Sequence, residues 1–356
     1  MKHYQVIIVG AGPSGLMAAS NIKNKSILLI DANAEIGGKL KVSGGGRCNI
    51  TNNKNINDFL LNIPKNQKFL YSCLTKFGPP EIIDFFNKEK VLLKEEDHGR
   101  VFPQDSSYLS IIKTFLNLLE KNKVKTLLNY QVQNVKKQNE LFIIDENYSC
   151  DHLVIATGGI SYKQFNTTGF GFDLAKKFRI KVTELNIVEA PLVSNDSLIR
   201  SKLLQGISIK DAYSTISINN KTVFEDTHDL LITHFGLSGP LALRASYYAR
   251  KALNKKQSVL FTIDTSNCPN IPKKLKKYLI DNRLSFTIND VRGSSVGFIT
   301  DGGIDLKEIN PKTFESRKIK NLYFIGEVID VHGFTGGYNL TLCLSEAYSL
   351  AYYLNN

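Results

Sequence analysis

Long apolar segments are missing from this chain of 356 residues. No stretch approaches the roughly 20 apolar residues that a membrane-spanning helix needs. The first residues also lack the pattern of a signal peptide. Apolar residues make up 42% of the sequence, which is ordinary for a soluble protein. We therefore expect a cytoplasmic protein, and the length predicts two domains or one domain with an insertion.

Closely spaced cysteines are missing too. The five cysteines are far apart and form no Cys-x-x-Cys pair: Cys48, Cys73, Cys150, Cys268 and Cys343. This spacing argues against a metal site and against a dithiol redox pair, and it is typical of a reducing compartment. The sequence also shows no internal repeat and no low-complexity segment.

The net charge of +12 is compatible with a nucleic-acid partner or an acidic surface. The basic residues, however, are mostly scattered along the chain. The densest runs are Arg250-Lys251, Lys255-Lys256 and Lys273-Lys274 with Lys276-Lys277, and they alternate with leucines as solvated helix faces do. We therefore expect a small-molecule substrate rather than a nucleic acid.

A glycine pattern follows the first apolar run of the chain. Val6-Ile7-Ile8-Val9 leads into Gly10-Ala11-Gly12-Pro13-Ser14-Gly15, and Asp31 closes the next apolar run. In such a turn the first glycine allows the bend, the second lets a pyrophosphate approach the backbone, and the third lets the helix pack on the sheet. Asp31 follows Gly10 by 21 residues (31 − 10), the spacing of a carboxylate that binds a ribose hydroxyl. The order of strand, glycines, helix and acid predicts a dinucleotide site.

Three later segments favour FAD over NAD. Leu153–Gly159 is an apolar strand with a small-residue turn, Leu322–Glu327 is a strand that ends in a glycine and an acid, and Gly336-Gly337-Tyr338-Asn339 opens a final helix. This order resembles the FAD-binding domain of glutathione-reductase-like flavoproteins, in which the late acid holds the ribityl chain. No second glycine fingerprint follows a strand, so a nicotinamide donor would enter the open pocket only transiently.

A second glycine-rich loop contains Ser43-Gly44-Gly45-Gly46-Arg47-Cys48-Asn49. Three consecutive glycines are costly unless backbone must approach something closely. We expect Arg47 to pair with the pyrophosphate, Asn49 to bind the flavin or the ribityl group, and Cys48 to be a small packed residue. The alternative is a flexible surface loop.

The final helix is expected to begin near the flavin, with Asn339 as its N-cap and its positive dipole end toward the ring. Glu327 would accept hydrogen bonds from ribityl hydroxyls, unless it is an ordinary surface acid. His234, in Thr233–Pro240, is either a proton donor to substrate or a structural histidine. His332 and Tyr338 are further candidates near the flavin.

The periodicity predicts helices over Glu81–Lys88, Tyr108–Lys121 and Leu340–Leu354, and strands over Lys125–Leu128 and Val132–Lys136. Ser208–Ile218 and Lys221–Phe224 predict a hairpin around Asn219-Asn220. The pattern changes after about residue 188. We expect a discontinuous α/β FAD-binding domain of Rossmann type, residues 1–188 and 297–356. A mostly β substrate domain, residues 189–296, interrupts it and contains one short helix, Pro272–Leu284.

Taken together, the Gly10–Gly15, Ser43–Asn52, Ala156–Gly159, Thr233–Pro240 and Gly326–Leu340 motifs resemble the HI0933-like (YhiN/BaiN-type) flavoproteins. The resemblance runs from the first strand to the last helix. It implies tightly bound FAD, a barrel-like form of the inserted domain, and an NAD(P)/FAD-dependent oxidoreductase. Members have been linked to the reduction of conjugated enones in bile-acid-like steroids. This sequence departs from the family pattern at Asp301, His332 and Thr341, and a helical subdomain around residues 270–290 is reduced.

With the resemblance, the candidate cofactor-binding residues number 22 and are Gly10, Gly12, Pro13, Ser14, Gly15, Asp31, Ala32, Lys39, Gly45, Gly46, Arg47, Cys48, Asn49, Val132, Ala156, Thr157, Gly158, Gly326, Glu327, Gly337, Tyr338 and Asn339. No catalytic residue and no metal ligand is assigned. The expected reaction is hydride transfer between flavin N5 and a small organic substrate, driven by NAD(P)H. The alternatives are an amine-oxidase-like enzyme, a tRNA-modifying flavoprotein and a flavin-binding protein without catalysis. The oligomeric state is left open.

Overall fold

The apolar runs of the sequence form the centre of a parallel sheet in the computed structural model, which describes residues 1–268, 270–293 and 297–356. The chain divides into two compact units, Met1–Leu185 with Thr300–Asn356, and Asn186–Ile299. The predicted boundary at residue 296 lies outside the described residues. Within the described ranges, no helix is both long and apolar enough to cross a membrane.

The first unit has strands at β1 (Lys2–Val9), β2 (Ile27–Ile30), β3 (Thr51–Asn52), β4 (Leu93–Glu95), β5 (Arg100–Pro103), β6 (Lys125–Leu127), β7 (Val135–Gln138), β8 (Leu141–Ile144), β9 (Tyr148–Ile155) and β19 (Leu322–Phe324). Its helices are α1 (Pro13–Asn21), α2 (Ile56–Leu60), α3 (Gln67–Lys76), α4 (Pro79–Lys88), α5 (Tyr108–Lys121), α6 (Phe170–Lys177) and α10 (Tyr338–Asn355).

The main sheet of this unit has the order β6-β2-β1-β9-β8-β7, and β19 also pairs with β9. The pairs β1–β2, β1–β9, β2–β6 and β9–β19 are parallel. Val6–Val9 is buried, and helix α1 packs against β1 and β2, which fits a run of apolar residues without alternation. The carboxyl ends of β1, β9 and β19 therefore lie side by side, and the predicted site residues follow these ends.

The second unit contains β10 (Asn186–Val188), β11 (Leu192–Val193), β12 (Ser208–Ile218), β13 (Lys221–Ile232), β14 (Gly236–Ser238), β15 (Val259–Asp264), β16 (Arg283–Thr287), β17 (Asp290–Val291), and the helices α7 (Ser197–Arg200), α8 (Pro240–Asn254) and α9 (Lys273–Lys276); β18 (Ile299–Asp301) begins where this unit ends. Seven strands form an antiparallel sheet in the order β16-β15-β12-β13-β14-β11-β17. The predicted hairpin is confirmed, since Asn219 and Asn220 form its turn, both with positive φ.

Three predictions about elements were wrong. The second unit contains more than the one short helix predicted, because α8 has 15 residues and packs on β13. The helix predicted over Pro272–Leu284 covers only Lys273–Lys276, and β16 follows it. The strand predicted over Val132–Lys136 begins at Val135, because the Asp145 carboxylate accepts the N–H groups of residues 133 and 134. The barrel-like form is not confirmed, since the pairings of the described residues form an open series from β16 to β17.

Candidate functional site

The turn after β1 is held by the acid at the end of β2. The Gly10 N–H donates to the Ile30 carbonyl at 2.8 Å, and the Ala11 N–H donates to Asp31 Oδ2 at 2.6 Å. The other carboxylate oxygen of Asp31 accepts the Asn33 N–H at 2.8 Å. Asp31 therefore lies at the mouth of the turn. An open cavity of about 180 Å³ is next to it and is lined by Asn33, Ala34, Glu35, Gly38, Lys41 and Phe165.

The three glycines of the turn have different reasons to be glycine. A Cβ at Gly10 would overlap the Ala156 carbonyl, and a Cβ at Gly15 would overlap the Gly10 carbonyl. A Cβ at Gly12 would meet no protein atom within 4 Å, and its φ of −76° suits any residue. Packing thus explains the first and third glycines. At Gly12 the space is open and lies at the N-terminus of α1, which has no side-chain cap.

A second wall consists of the segments around Asn49 and Gly337. In its hydrogen-bonded orientation the Asn49 amide donates to the Thr51 carbonyl at 3.0 Å and accepts the Gly337 N–H at 3.0 Å. The Thr51 hydroxyl lies 2.7 Å from the Thr341 hydroxyl. A Cβ at Gly337 would overlap the Thr51 carbonyl, so the two segments are in close contact. Two of the motifs that carry the resemblance, Ser43–Asn52 and Gly326–Leu340, are brought together here.

The predicted N-cap of the last helix was wrong. Helix α10 begins at Tyr338, and its N-cap is Gly337 with φ +98°. Asn339 lies inside the first turn, where its amide accepts the Gly333 N–H at 2.8 Å and donates to the Gly333 carbonyl at 2.7 Å. The Tyr338 ring is buried, and its centroid is 5.0 Å from that of Phe59. The side chains of Asn339 and Tyr338 thus fix the segment that leads into α10. Backbone N–H groups form the N-terminus of this helix.

The triple-glycine loop bends through left-handed conformations. Gly44, Gly45 and Gly46 have φ values of 57°, 70° and 89°. A Cβ at Gly45 would meet nothing within 4 Å. Arg47 donates from Nη1 to both carboxylate oxygens of Glu96 at 2.9 Å, and its guanidinium lies 4.2 Å from the centroid of the Phe102 ring. Pairing of Arg47 with a pyrophosphate stays a prediction.

Cys48 is packed, as the sequence favours. The residue is fully buried, and burial raises the pKa of its thiol to about 12. The nucleophilic thiolate is therefore absent at neutral pH.

The segment after β9 contacts Glu327, an acid that follows β19. Glu327 accepts hydrogen bonds from Lys39 Nζ at 2.6 Å and from the Ser161 hydroxyl at 3.0 Å, and its Oε1 also accepts the Thr300 N–H at 2.8 Å. Burial alone would raise the pKa of Glu327, but the Lys39 ammonium and the Thr300 hydrogen bonds hold it below its usual range. Glu327 is consequently an anion inside the protein, not a surface acid.

The same segment holds an orphaned hydroxyl. Thr157 Oγ1 is buried and has no hydrogen-bond partner within the described part of the chain. The nearest atom to a Cβ at Gly158 would be Lys39 Nζ at 4.0 Å. Open space at Gly12, Gly45 and Gly158, two uncapped helix starts and the Asp31 carboxylate suit an extended dinucleotide. These residues fit FAD.

Other predicted residues lie in the walls or elsewhere. Ala32 and Lys39 are half-buried, whereas Val132 is buried. His234 is exposed in the second unit, where its ring contacts Phe235.

His332 is buried in a charged group that the sequence indicated only in part. Its Nε2 lies 3.4 Å from Asp301 Oδ1, and Lys65 pairs with both Asp301 and Asp330. Burial raises the pKa of Asp301, but His332 and Lys65 outweigh it and hold the pKa below its usual range. The two departures Asp301 and His332 are thus neighbours. Sequence reasoning missed Lys65, since nothing in its local pattern relates it to residues over 230 positions later.

The Rossmann-type sheet, the two helix starts and the open glycines define an FAD-binding oxidoreductase. A family model described as "HI0933-like protein Rossmann domain" matches residues 4–353, and the chain belongs to this family. The expected family is therefore confirmed.

Relatives cover almost the whole chain. A ribosomal RNA dihydrouridine synthase of Escherichia coli (strain K12) is 30% identical over 99% of this chain and 98% of its own length. A 3-dehydro-bile acid delta(4,6)-reductase of Clostridium scindens (strain ATCC 35704 / DSM 5676 / VPI 13733 / 19) is 23% identical over 96% of each chain. Among solved structures, a 3-ketosteroid delta1-dehydrogenase of Sterolibacterium denitrificans shares the fold with a TM-score of 0.55, 11% identity and full coverage of both chains.

Proposed function

We propose that this protein reduces a carbon–carbon double bond conjugated to a carbonyl group, and that its substrate is a uracil base in RNA. The observation that carries the proposal is the full-length similarity to a ribosomal RNA dihydrouridine synthase. In uracil the C5=C6 bond is conjugated to the C4 carbonyl. Reduction adds a hydride to C6 and a proton to C5, and NADH or NADPH supplies the electron pair and becomes NAD(P)⁺.

The bile-acid relative supports the reaction class from a different substrate. Its name describes the reduction of double bonds in a 3-dehydro steroid, which are conjugated to a carbonyl as in uracil. The two relatives therefore share an activated double bond and differ in the molecule that presents it. This chemistry agrees with the enone reduction that the sequence predicts.

The chain's own residues would hold FAD along the first unit. The N-terminus of α1 and the open backbone at Gly12 would bind the pyrophosphate, and Asp31 would accept the ribose hydroxyls. The N-terminus of α10 would lie against the flavin, where backbone N–H groups favour negative charge. Bound FAD supplies a hydride carrier between donor and substrate. Lys39 keeps the Glu327 carboxylate charged and fixed beside the turn after β9.

The distribution of charge favours RNA over a steroid. The inserted unit, Asn186–Ile299, has 15 Lys and Arg against 9 Asp and Glu, a net charge of +6 in about a third of the chain. Lys273, Lys274, Lys276 and Lys277 are all exposed around the buried Leu275. Phosphates of RNA would neutralise such a cluster. This proposal departs from the sequence-based expectation of a small substrate.

Anaerobic stopped-flow spectroscopy tests the donor. We expect NADH or NADPH to bleach the flavin of the purified holoprotein, and rRNA fragments made without dihydrouridine to reoxidise it and gain two mass units per modified uridine. A parallel arm offers a 3-keto-4,6-dienone steroid. Reoxidation of the flavin by the steroid and not by RNA would show that the substrate is steroid-like and not RNA. Failure of both donors, or of both acceptors, would contradict the proposal.

Removing the lysine cluster should weaken RNA binding specifically. If all four lysines contact phosphates, the fourfold Lys→Gln variant at 273, 274, 276 and 277 makes the slope of log K against log salt less negative by about 3, at about 0.7 per contact for single strands. Flavin reduction by the nicotinamide should stay unchanged. The matched control replaces four exposed lysines of the first unit, Lys113, Lys121, Lys123 and Lys125. Equal salt slopes in wild type and the cluster variant would show that these lysines do not contact RNA phosphates.

A further inference from the structure

Helix α10 contains a carboxylic acid in the interior of the first unit. Of its 18 residues, 11 are buried, and Glu346 is 1% exposed. Glu346 Oε2 accepts the Gly326 N–H at 2.6 Å, a contact across 20 residues of chain. A buried carboxyl group is expensive unless it has a specific partner. Here the partner is the backbone of the turn that follows β19.

Charged partners of Glu346 are absent from the described parts of the chain. No Lys, Arg or His lies within ion-pair distance of it, and the ionisable groups that interact with it are the thiols of Cys343 on α10 and Cys73 on α3. Helix α1 and strand β3 contain no ionisable residue, and Glu81, Asp84 and Lys88 of α4 are exposed. Burial raises the pKa of Glu346 to about 8, although the Gly326 hydrogen bond opposes this. The acid is consequently neutral at pH 7.

Gly326, which is hydrogen-bonded to Glu346, connects α10 with the first turn of α1 and with Glu327. Gly326 has φ +78°, and a Cβ there would overlap the Ser14 hydroxyl in the first turn of α1. The next residue is Glu327, which is bound to Lys39. A shift of the Gly326 peptide would therefore move the Glu327 carboxylate and loosen the contact with α1.

We propose that Glu346 is a positioning residue that holds the Gly326–Glu327 turn against the first turn of α1 and thereby sets the affinity for FAD. The inference rests on the proposed placement of FAD along that turn. Glu346 acts through Gly326 and does not touch the cofactor. Glutamine has the same size and keeps an acceptor oxygen, whereas leucine keeps the bulk without an acceptor.

Titration of FAD into the full-length apo protein, followed by flavin fluorescence from pH 6 to pH 9.5, tests the inference. For wild type we expect the Kd to rise at least about tenfold between pH 7 and pH 9.5, as Glu346 ionises. Glu346→Gln should bind as wild type does at pH 7 and lose the pH dependence. Glu346→Leu should bind at least about tenfold more weakly at every pH. Glu120→Gln, at an exposed acid of α5, is the matched control and should follow wild type.

Two results would overturn the inference. One is a Glu346→Gln profile that rises with pH as wild type does, and this variant keeps the test decisive even if Glu346→Leu does not fold. The other is a folded Glu346→Leu protein, by circular dichroism, that binds FAD within about twofold of wild type. The readout is binding, so it is independent of turnover. Loss of RNA reduction with these binding effects intact would contradict the proposed function alone.

Discussion

Gly12→Val should lose FAD affinity by at least about 100-fold and leave the fold of the apo protein intact. The backbone at Gly12 has φ −76° and ψ −175°, an extended conformation that valine adopts and that suits a residue before proline. No protein atom lies within 4 Å of the added Cβ, so the side chain would occupy only the space assigned to the pyrophosphate. FAD fluorescence titration measures the loss. Urea unfolding of the apo protein should differ from wild type by no more than about 1 kcal/mol.

Two other glycines serve as controls for this variant. Gly293 in the inserted unit has equally open surroundings, so Gly293→Val should keep wild-type affinity and stability. Gly10→Val should not fold, because the new side chain would overlap the Ala156 carbonyl. Tight FAD binding by a folded Gly12→Val protein would show that the pyrophosphate does not lie at the start of α1.

The second large effect concerns the half-buried pair of Lys39 and Glu327. Lys39→Met should destabilise the apo protein at pH 7 by about 2 kcal/mol, because it leaves the Glu327 carboxylate, whose side chain is only 14% exposed, without its ammonium partner. The wild-type pKa of Glu327 lies below its usual range, so the pair stabilises the fold above the carboxyl pKa of the unfolded chain. That stabilisation is lost as the pH falls through the folded pKa. The difference between variant and wild type should therefore shrink below about pH 4.

Urea unfolding of the apo proteins at pH 7 and below pH 4 measures this difference without the cofactor. The double variant Lys39→Met/Glu327→Gln should regain much of the loss, since no buried charge remains. Lys41→Met is the matched control two residues further on. Its partner Glu35 is 70% exposed, so removing that ion pair should leave the free energy of unfolding close to that of wild type. Equal losses of unfolding free energy in Lys39→Met and Lys41→Met would show that the Lys39–Glu327 pair stabilises the fold no more than the exposed Lys41–Glu35 pair does.

Patterns of neighbouring residues in the sequence correctly predicted those helices and strands that depend mainly on nearby residues. The apolar stripe of Tyr108–Lys121 coincides with α5, and Val6–Val9 with the glycine turn predicted the first βαβ unit. The residue pattern was enough for both, because an amphipathic helix has an apolar stripe of period 3.6, whereas the short strand is continuously apolar and is followed directly by the glycine turn. The family resemblance also followed from residues that are close in sequence.

Tertiary contacts decided the elements that were predicted wrongly. The lysine-rich segment after Pro272 has good helix propensity, but Arg283 pairs with Asp264 in the sheet and starts β16. Helix α8 had a readable signal that was overlooked. Pro240 stands at its first turn, and the buried positions Leu241, Ala245 and Ala249 follow helical spacing, although alanines make a weak apolar stripe.

The site residues show the same limit. Glu327 was identified by its position after a strand, but its partners Lys39, Ser161 and Thr300 come from distant parts of the chain. Glu346 had only one visible signal, an acid within a helix whose other positions are almost all apolar or small. Because polar contacts across hundreds of residues have no sequence spacing, only the structure reveals them.

The division of the first unit between two stretches of sequence affects how the protein is made. Strand β19, which pairs with the carboxyl half of β9, and helix α10, which packs on α1, are synthesised only after the inserted unit. At 5–20 residues per second, the about 170 residues after position 185 take on the order of ten to thirty seconds to translate. During that interval α1 lacks its partner α10. The helix start proposed to lie against the flavin is accordingly among the last parts of the first unit to be made, whereas the strands of the inserted unit are made before it.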